Sequence, residues 1–305
     1  MEISKVIKIH SSAFKQVGVV DLFINSIIGD INLFPDRAPA AMYQEMHDQM
    51  KESLTYCSPY AIAVGDMTPR RAEYKGKYME FQPGPTGHPT LRDMDIMIYL
   101  QSWLANARIE GRKEDRSGSM TFDVEDFYAF SGRARGSDRD EAFVQALERL
   151  HSSTFTTNTQ MRWERPSEGM AVHLVREYTL ERDDKGKLLT ATVRVAKRMH
   201  RMIGDELFML IPEDFVRQSP MRKALCLVLL SHCIWEEDEY VTIPFEKLHE
   251  ISGSKSPLRK VSDLIDDIIE NPLPGFVAEV EEEEKTITFW GEFETTPTCP
   301  LEDDE

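Results

Sequence analysis

One order of segments occurs twice in this chain, and it constrains the fold more than any other feature. In the middle, Thr121-Phe-Asp-Val-Glu-Asp-Phe-Tyr-Ala-Phe130 reads as a short helix, opened by Thr121 or Asp123 and stopped at Ser131-Gly132. A basic turn follows, Arg133-Ala-Arg-Gly-Ser-Asp-Arg139. A second helix over residues 140–150 then turns Phe143, Leu147 and Leu150 inward. Three β-like runs come next, at residues 153–157, 170–180 and 188–195. The last two are joined by Asp183-Asp-Lys-Gly-Lys187, a hairpin turn with glycine where φ must be positive. Downstream the order returns. A greasy helix over 219–232 precedes a helix over 242–251, broken at Ser252-Gly253. Ser256 then caps a helix that starts with Pro257 and runs to Glu270, and residues 276–280 and 285–290 form a last hairpin around Glu281 to Glu284. Helix, turn, helix and hairpin is the order of a winged helix-turn-helix. The sequence therefore predicts an α+β protein of two tandem winged helix-turn-helix domains with an N-terminal extension, a divergent duplication rather than a short-period repeat.

The flanking segments set the boundaries. Residues 1–55 form an extension that is partly helical: 14–31 holds a helix or a strand, and 40–54 is a helix with Met42, Met46 and Met50 on one packing face. The first winged domain spans 56–201 with a leading β segment over 60–81, and the proline-rich stretch 82–89 is a loop. Asp93 caps a helix running to about Ile109, with Ile96, Leu100, Trp103, Leu104 and Ala107 inside. Asp93 and Asp95 suit that helix start as capping and dipole-matched carboxylates, which accounts for them better than a metal pair. Residues 202–219 read as a linker, 220–293 as the second winged domain and 294–305 as an acidic flexible tail.

Charge is the compositional number with most to say. The 305 residues hold 36 Lys+Arg against 53 Asp+Glu, a net of −17, which argues against indiscriminate polyanion binding. Residues 1–90 carry 9 basic and 10 acidic side chains, residues 91–201 carry 19 and 18, and residues 202–305 carry 8 and 25. The excess acid lies in the last third, which leaves the arginine-rich middle free to form local positive faces. No apolar stretch approaches the roughly 18–20 residues that cross a bilayer, and the N-terminus lacks a secretory core, so a cytoplasmic protein is expected. The four cysteines include no CxxC pair, and Cys226 and Cys233 are two helical turns apart, too far to bridge; reduced, buried thiols are expected rather than a zinc site.

Motifs for catalysis are missing from the chain. There is no GxxxxGK[ST] loop, GxSxG, HExxH or Cys/His cluster, so no enzyme, no catalytic residue, no metal site and no cofactor is predicted. The pattern points instead to duplex DNA. The second helix of a helix-turn-helix enters the major groove by its N-terminal turn. There the middle module offers Arg133, Arg135, Ser137 and Arg139, with Gln145 and Arg149 further along, and the C-terminal module offers Lys255, Ser256, Arg259 and Lys260. Arginine matches guanine bidentately, while serine and helix-start amides grip phosphate. Arg176, Arg182, Lys185 and Lys187 on the middle hairpin add phosphate contacts.

These residues resemble a known family, the plasmid replication initiator protein A type of bacterial initiators, over roughly residues 60–290. The resemblance rests on Thr90-Leu-Arg-Asp-Met-Asp-Ile-Met-Ile-Tyr-Leu100, Phe130-Ser-Gly-Arg-Ala-Arg-Gly136, Leu147-Glu-Arg-Leu-His-Ser-Ser-Thr154, Leu248-His-Glu-Ile-Ser-Gly-Ser-Lys-Ser-Pro-Leu258 and Asn271-Pro-Leu-Pro-Gly275. It implies tandem winged helices that bind origin repeats, help open adjacent AT-rich DNA, recruit a host initiator or helicase and repress their own gene as homodimers, without a nucleotide. One departure stands out. The family's last helix and wing are usually basic, whereas here the helix carries Asp263, Asp266, Asp267 and Glu270 and the wing turn is Glu281–Glu284. Either that wing points away from DNA, or the C-terminal module mainly meets proteins. A tandem winged-helix transcriptional regulator would share every DNA-reading feature, and an interaction scaffold that has lost DNA is the reading the net charge favours.

Overall fold

The computed structural model describes residues 17–21, 59–74, 77–109, 111–112, 117–157, 170–197, 200, 208–233, 240–251 and 259–291. The expected helix over 40–54 with its methionine face, Lys255, Ser256 and the tail over 294–305 lie outside the described residues. In chain order the elements are β1 (Val17–Asp21), β2 (Arg70–Tyr74), β3 (Lys77–Gln82), α1 (Met94–Ile109), β4 (Ser119–Asp123), α2 (Val124–Ser131), α3 (Ser137–Ser152), β5 (Thr154–Thr157), β6 (Met170–His173), β7 (Val175–Arg182), β8 (Leu188–Val195) and β9 (Phe208–Pro212). A 3-10 turn (Glu213–Arg217) follows, then α4 (Pro220–Cys233), β10 (Tyr240–Pro244), α5 (Phe245–Ile251), α6 (Arg259–Glu270), β11 (Phe276–Glu281) and β12 (Thr286–Gly291). The mixture of helix and sheet is α+β as expected. The chain divides into two units, one of residues 1–33 with 57–217 and one of residues 34–56 with 218–305.

In the first unit, β4, β8 and β7 form an antiparallel sheet in that order, β2, β3, β5 and β6 form a second, and β1 pairs with β9. The core gathers where α1, β4, α2 and α3 meet: the ring of Tyr99 lies 5.0 Å from Phe122 and 5.8 Å from Phe127, and Phe143 lies 5.2 Å from Phe127. Such offset and edge-on pairs add to the burial of the rings themselves. The second unit packs β10, β12 and β11 in that order with α4, α5 and α6 around Leu227, Ile243, Leu248, Ile268 and Phe289. Arg222 ties α4 to the end of α6, giving hydrogen bonds to Asp267 Oδ2 (2.7 Å) and to the carbonyls of Asn271 (2.6 Å) and Pro272 (3.1 Å). Both carbonyls lie just past the last residue of α6, so Arg222 holds the chain where it leaves that helix.

Helix, strand, helix, helix and hairpin thus occur in both units, each time with the lone strand paired to the last strand of the hairpin. The numbering keeps step. The buried pairs Phe122 and Ile243, Phe127 and Leu248, Phe143 and Leu264, and Leu147 and Ile268 all differ by 121 positions. So do Thr121 and Thr242, whose hydroxyls bond across the sheet to Thr192 (2.8 Å) and Thr288 (2.9 Å).

Several local expectations change. Thr121–Asp123 and Thr242–Pro244 close the strands β4 and β10 rather than opening helices, and every second residue of those strands (Met120 and Phe122, Val241 and Ile243) is buried. Residues 60–64 form no strand, only a bridge from Ala61 to Thr90; the strand lies at 70–74. The cap of α1 is Thr90. Its hydroxyl accepts from the Asp93 N–H (3.3 Å) while Asp93 accepts from the Thr90 N–H (2.7 Å), a reciprocal capping box. The run 170–180 is two strands in two sheets, divided at Leu174. Finally, the segment read as a linker holds β9 and the 3-10 turn.

Candidate nucleic-acid interface

The turn between α2 and α3 in the first unit is set by glycine and by ion pairs. Gly132 ends α2 in the left-handed region (φ 65°), and its N–H and that of Arg133 close the last turn onto Ala129 and Tyr128 carbonyls. Gly136 precedes α3, so the turn spans 132–136 and α3 starts at Ser137, three residues earlier than the periodicity suggested.

Three of the arginines expected to meet DNA turn inward. Arg133 donates to the fully buried carboxylate of Asp95 and to the Arg92 carbonyl (3.2 Å). Arg135 reaches Glu125, Asp140 (Nε to Oδ1, 3.3 Å) and the Leu188 carbonyl, joining α2, α3 and the base of the hairpin. Burial disfavours its charge, but the bonds to Glu125 and Asp140 outweigh that and push its pKa above the ordinary arginine value. Arg149 is buried and holds Asp93 bidentately at 2.7 and 2.9 Å, so α3 is clamped to the start of α1. Asp93 and Asp95 are therefore ion-pair partners as well as helix-start carboxylates. With its guanidinium fork committed inside the protein, Arg149 presents nothing to a groove, which corrects its place among the base-reading residues.

The other candidates lie at the surface. Ser137 and Arg139 are exposed in the first turn of α3, and Gln145, also exposed, donates to Glu141 (3.4 Å). On the hairpin, Arg176, Arg182, Lys185 and Lys187 are all exposed. Asp183 Oδ1 accepts from the backbone N–H groups of Lys185 (2.9 Å) and Lys187 (2.8 Å), and Arg182 donates to the Gly186 carbonyl (2.8 Å), so the basic tip is a built turn. Arg259 and Lys260 stand in the first turn of α6. The hairpin tip of the second unit, Glu281 to Glu284, is exposed throughout and turns at Lys285 with φ 53°.

Sequence reasoning missed that carboxylates neutralise these arginines: Asp95 for Arg133, Glu125 and Asp140 for Arg135, and Asp93 for Arg149. The near balance of 19 basic and 18 acidic residues over 91–201 was the signal. Among the described residues no group of three or more metal-ligating side chains comes together, and no helix is long and apolar enough to cross a membrane.

Comparison with known proteins agrees with the topology. A family model described as replication initiator protein A matches residues 52–277. Two solved structures are similar in fold: a selenomethionine form of domains 2 and 3 of RctB (TM-score 0.53) and a second structure of RctB domains 2–3 (TM-score 0.51). Each is 11% identical over 74% of this chain and 91% of the other. No curated protein matches by sequence.

Proposed function

The chain belongs to the replication initiator protein A family, and from that premise we propose that it is a sequence-specific DNA-binding initiator of plasmid replication, acting by binding rather than by catalysis. The match over residues 52–277 carries the reading. The repeated order of helix, strand, helix, helix and hairpin supports it, since a winged helix-turn-helix offers its second turn-helix to the major groove and its hairpin to the backbone.

In this reading Ser137, Arg139 and Gln145 meet base edges and phosphate, and Arg176, Arg182, Lys185 and Lys187 meet phosphate. Lys255, Ser256, Arg259 and Lys260 do the same in the second unit. The offset of 121 supports part of this: it sets Arg139 against Lys260, a cation at the same helical position in both units, and Arg135 with its partner Asp140 against Ser256 and Val261. A position that swaps an ion pair for a small polar residue and a valine is one that supports the fold. Arg133, Arg135 and Arg149 accordingly position α3 and the hairpin.

Origin repeats are the proposed target, with a host initiator or helicase recruited and a homodimer repressing the gene. The exposed carboxylates of Glu281–Glu284 favour a protein partner for that tip, since they repel phosphate. Short labelled duplexes tiled across the DNA flanking the gene test the reading. One tile should bind far more tightly than the rest, and a plasmid with that region as its sole origin should replicate only when the protein is supplied. Binding without replication would favour a transcriptional regulator, and no binding at low salt would favour a scaffold.

A further inference from the structure

We propose that the DNA-binding surface of the first unit includes Arg92, at the head of α1, which contacts a backbone phosphate beside the turn between α2 and α3. The inference rests on the reading of this unit as a DNA-binding module, and it adds a residue that the order of helix, turn, helix and hairpin does not point to.

Three observations lead to it. First, Arg92 stands beside the turn. The guanidinium of Arg133, itself a turn residue, donates to the Arg92 carbonyl (3.2 Å) and to the Asp95 carboxylate, so the chain entering α1 is bonded directly to the turn. Second, its backbone is fixed while its side chain meets solvent. Among residues 87–101, all of them described, every one but Arg92 is buried. On one side the Leu91 N–H donates to the Ala61 carbonyl (2.8 Å). On the other, Asp93 closes the capping box with Thr90 and is clamped by Arg149. Binding by a side chain held at so fixed a point orders only its own rotamers. Third, its charge is uncompensated. Asp93 is bound bidentately by Arg149 and Asp95 is bound by Arg133, and among the described residues no carboxylate pairs with Arg92. The two internal pairs at the head of α1 cancel, and the cation that remains is the exposed one. Its planar fork matches phosphate oxygens, and phosphate contacts set the register of a protein on the duplex. A guanidinium beside the turn, rather than on α3 itself, is placed to meet the backbone flanking the groove that α3 enters.

The test uses the full chain and the duplex tile that it binds best, with affinity measured by fluorescence anisotropy over a range of salt. Arg92→Gln should lower the slope of log K against log salt by about one. It should leave the thermal midpoint unchanged, because the side chain is exposed and the bond to Arg133 uses the backbone carbonyl. Arg92→Lys keeps the charge and should keep the slope. Replacing the phosphates of the tile one at a time by uncharged methylphosphonates locates the contact: one replacement should weaken the wild type and leave Arg92→Gln unaffected. An unchanged slope in Arg92→Gln overturns the proposal, and so does a scan in which every replacement affects both proteins alike. Should Arg92→Gln lose thermal stability as well as slope, Arg92→Lys decides: recovery of the slope upholds the contact, and its continued loss overturns it. Failure of the wild-type chain to bind any tile defeats the underlying reading instead, which is a distinguishable result.

Discussion

At the scale of single residues, the first unit is held by charges that never reach solvent. Arg149 and Asp93 satisfy each other bidentately, and Asp93 also completes the Thr90 capping box, so one carboxylate serves a helix start and an interhelical clamp. Removing one partner of a buried pair leaves the other charged and desolvated, at about 3–5 kcal/mol. Arg149→Met should therefore lower unfolding free energy in urea by about that amount. A variant that kept its stability but lost DNA affinity would restore Arg149 to the groove. Asp66 makes a different prediction. Burial alone would raise its pKa, but the Thr68 N–H (3.0 Å) and Arg70 (2.6 Å) stabilise the ionised form and bring it from 3.8 down to about 2. A carboxyl with a depressed folded-state pKa stabilises the fold above its unfolded value, and that part is lost as pH falls from about 4 to about 2. Asp66→Asn should therefore be less stable than wild type at neutral pH, with the difference closing as pH falls from about 4 to about 2, as read by urea unfolding across that range.

At the scale of elements, α2, α3 and the base of the β7–β8 hairpin are tied into one piece because Arg135 links Glu125, Asp140 and the Leu188 carbonyl. Arg135→Ala should loosen the hairpin base, seen as faster amide exchange at Leu188, whose N–H is held by Asp140 (3.2 Å). Lys185→Ala with Lys187→Ala should leave that exchange unchanged and reduce the salt slope of DNA binding by about two, since both lysines are exposed on a turn closed by Asp183. Features set by local chemistry were legible in the sequence: the helix stop at Gly132, the Asp183–Lys187 turn and the extent of α1, although residues 94–101 are buried on every side and Trp103 only in part, so α1 has no single inner face there. What was not legible depended on distant partners. Thr121–Asp123 is a strand because it pairs with residues 190–192, and a three-residue alternation running into a helix gives no hint of that. The break at Leu174 exists because residues on either side join different sheets. Arg133 in the turn and Arg149 on α3 looked exposed because their partners, Asp95 and Asp93, lie 38 and 56 positions away.

At the scale of the whole molecule, charge decides how the two units divide their work. The net of −17 comes from the last third, while residues 91–201 are balanced once their internal pairs are formed. Under the proposed function, long-range attraction to DNA is therefore weak, and binding would depend on short-range cations such as those of the first hairpin. The second hairpin offers the opposite sign at its tip. Converting Glu281, Glu282, Glu283 and Glu284 to glutamine removes four of those charges at a solvent-exposed turn and costs no core contact. If the tip faces a partner protein, this variant should associate with origin DNA somewhat faster at low salt, with the difference vanishing as salt rises, and should lose plasmid replication while retaining DNA affinity. Stopped-flow association across a salt series, set beside copy number in cells, reads both effects. If the tip lies against DNA, the same change should instead tighten binding by a large factor that persists at moderate salt and leave replication intact, because repulsion at contact distance is far less screened than repulsion across a Debye length.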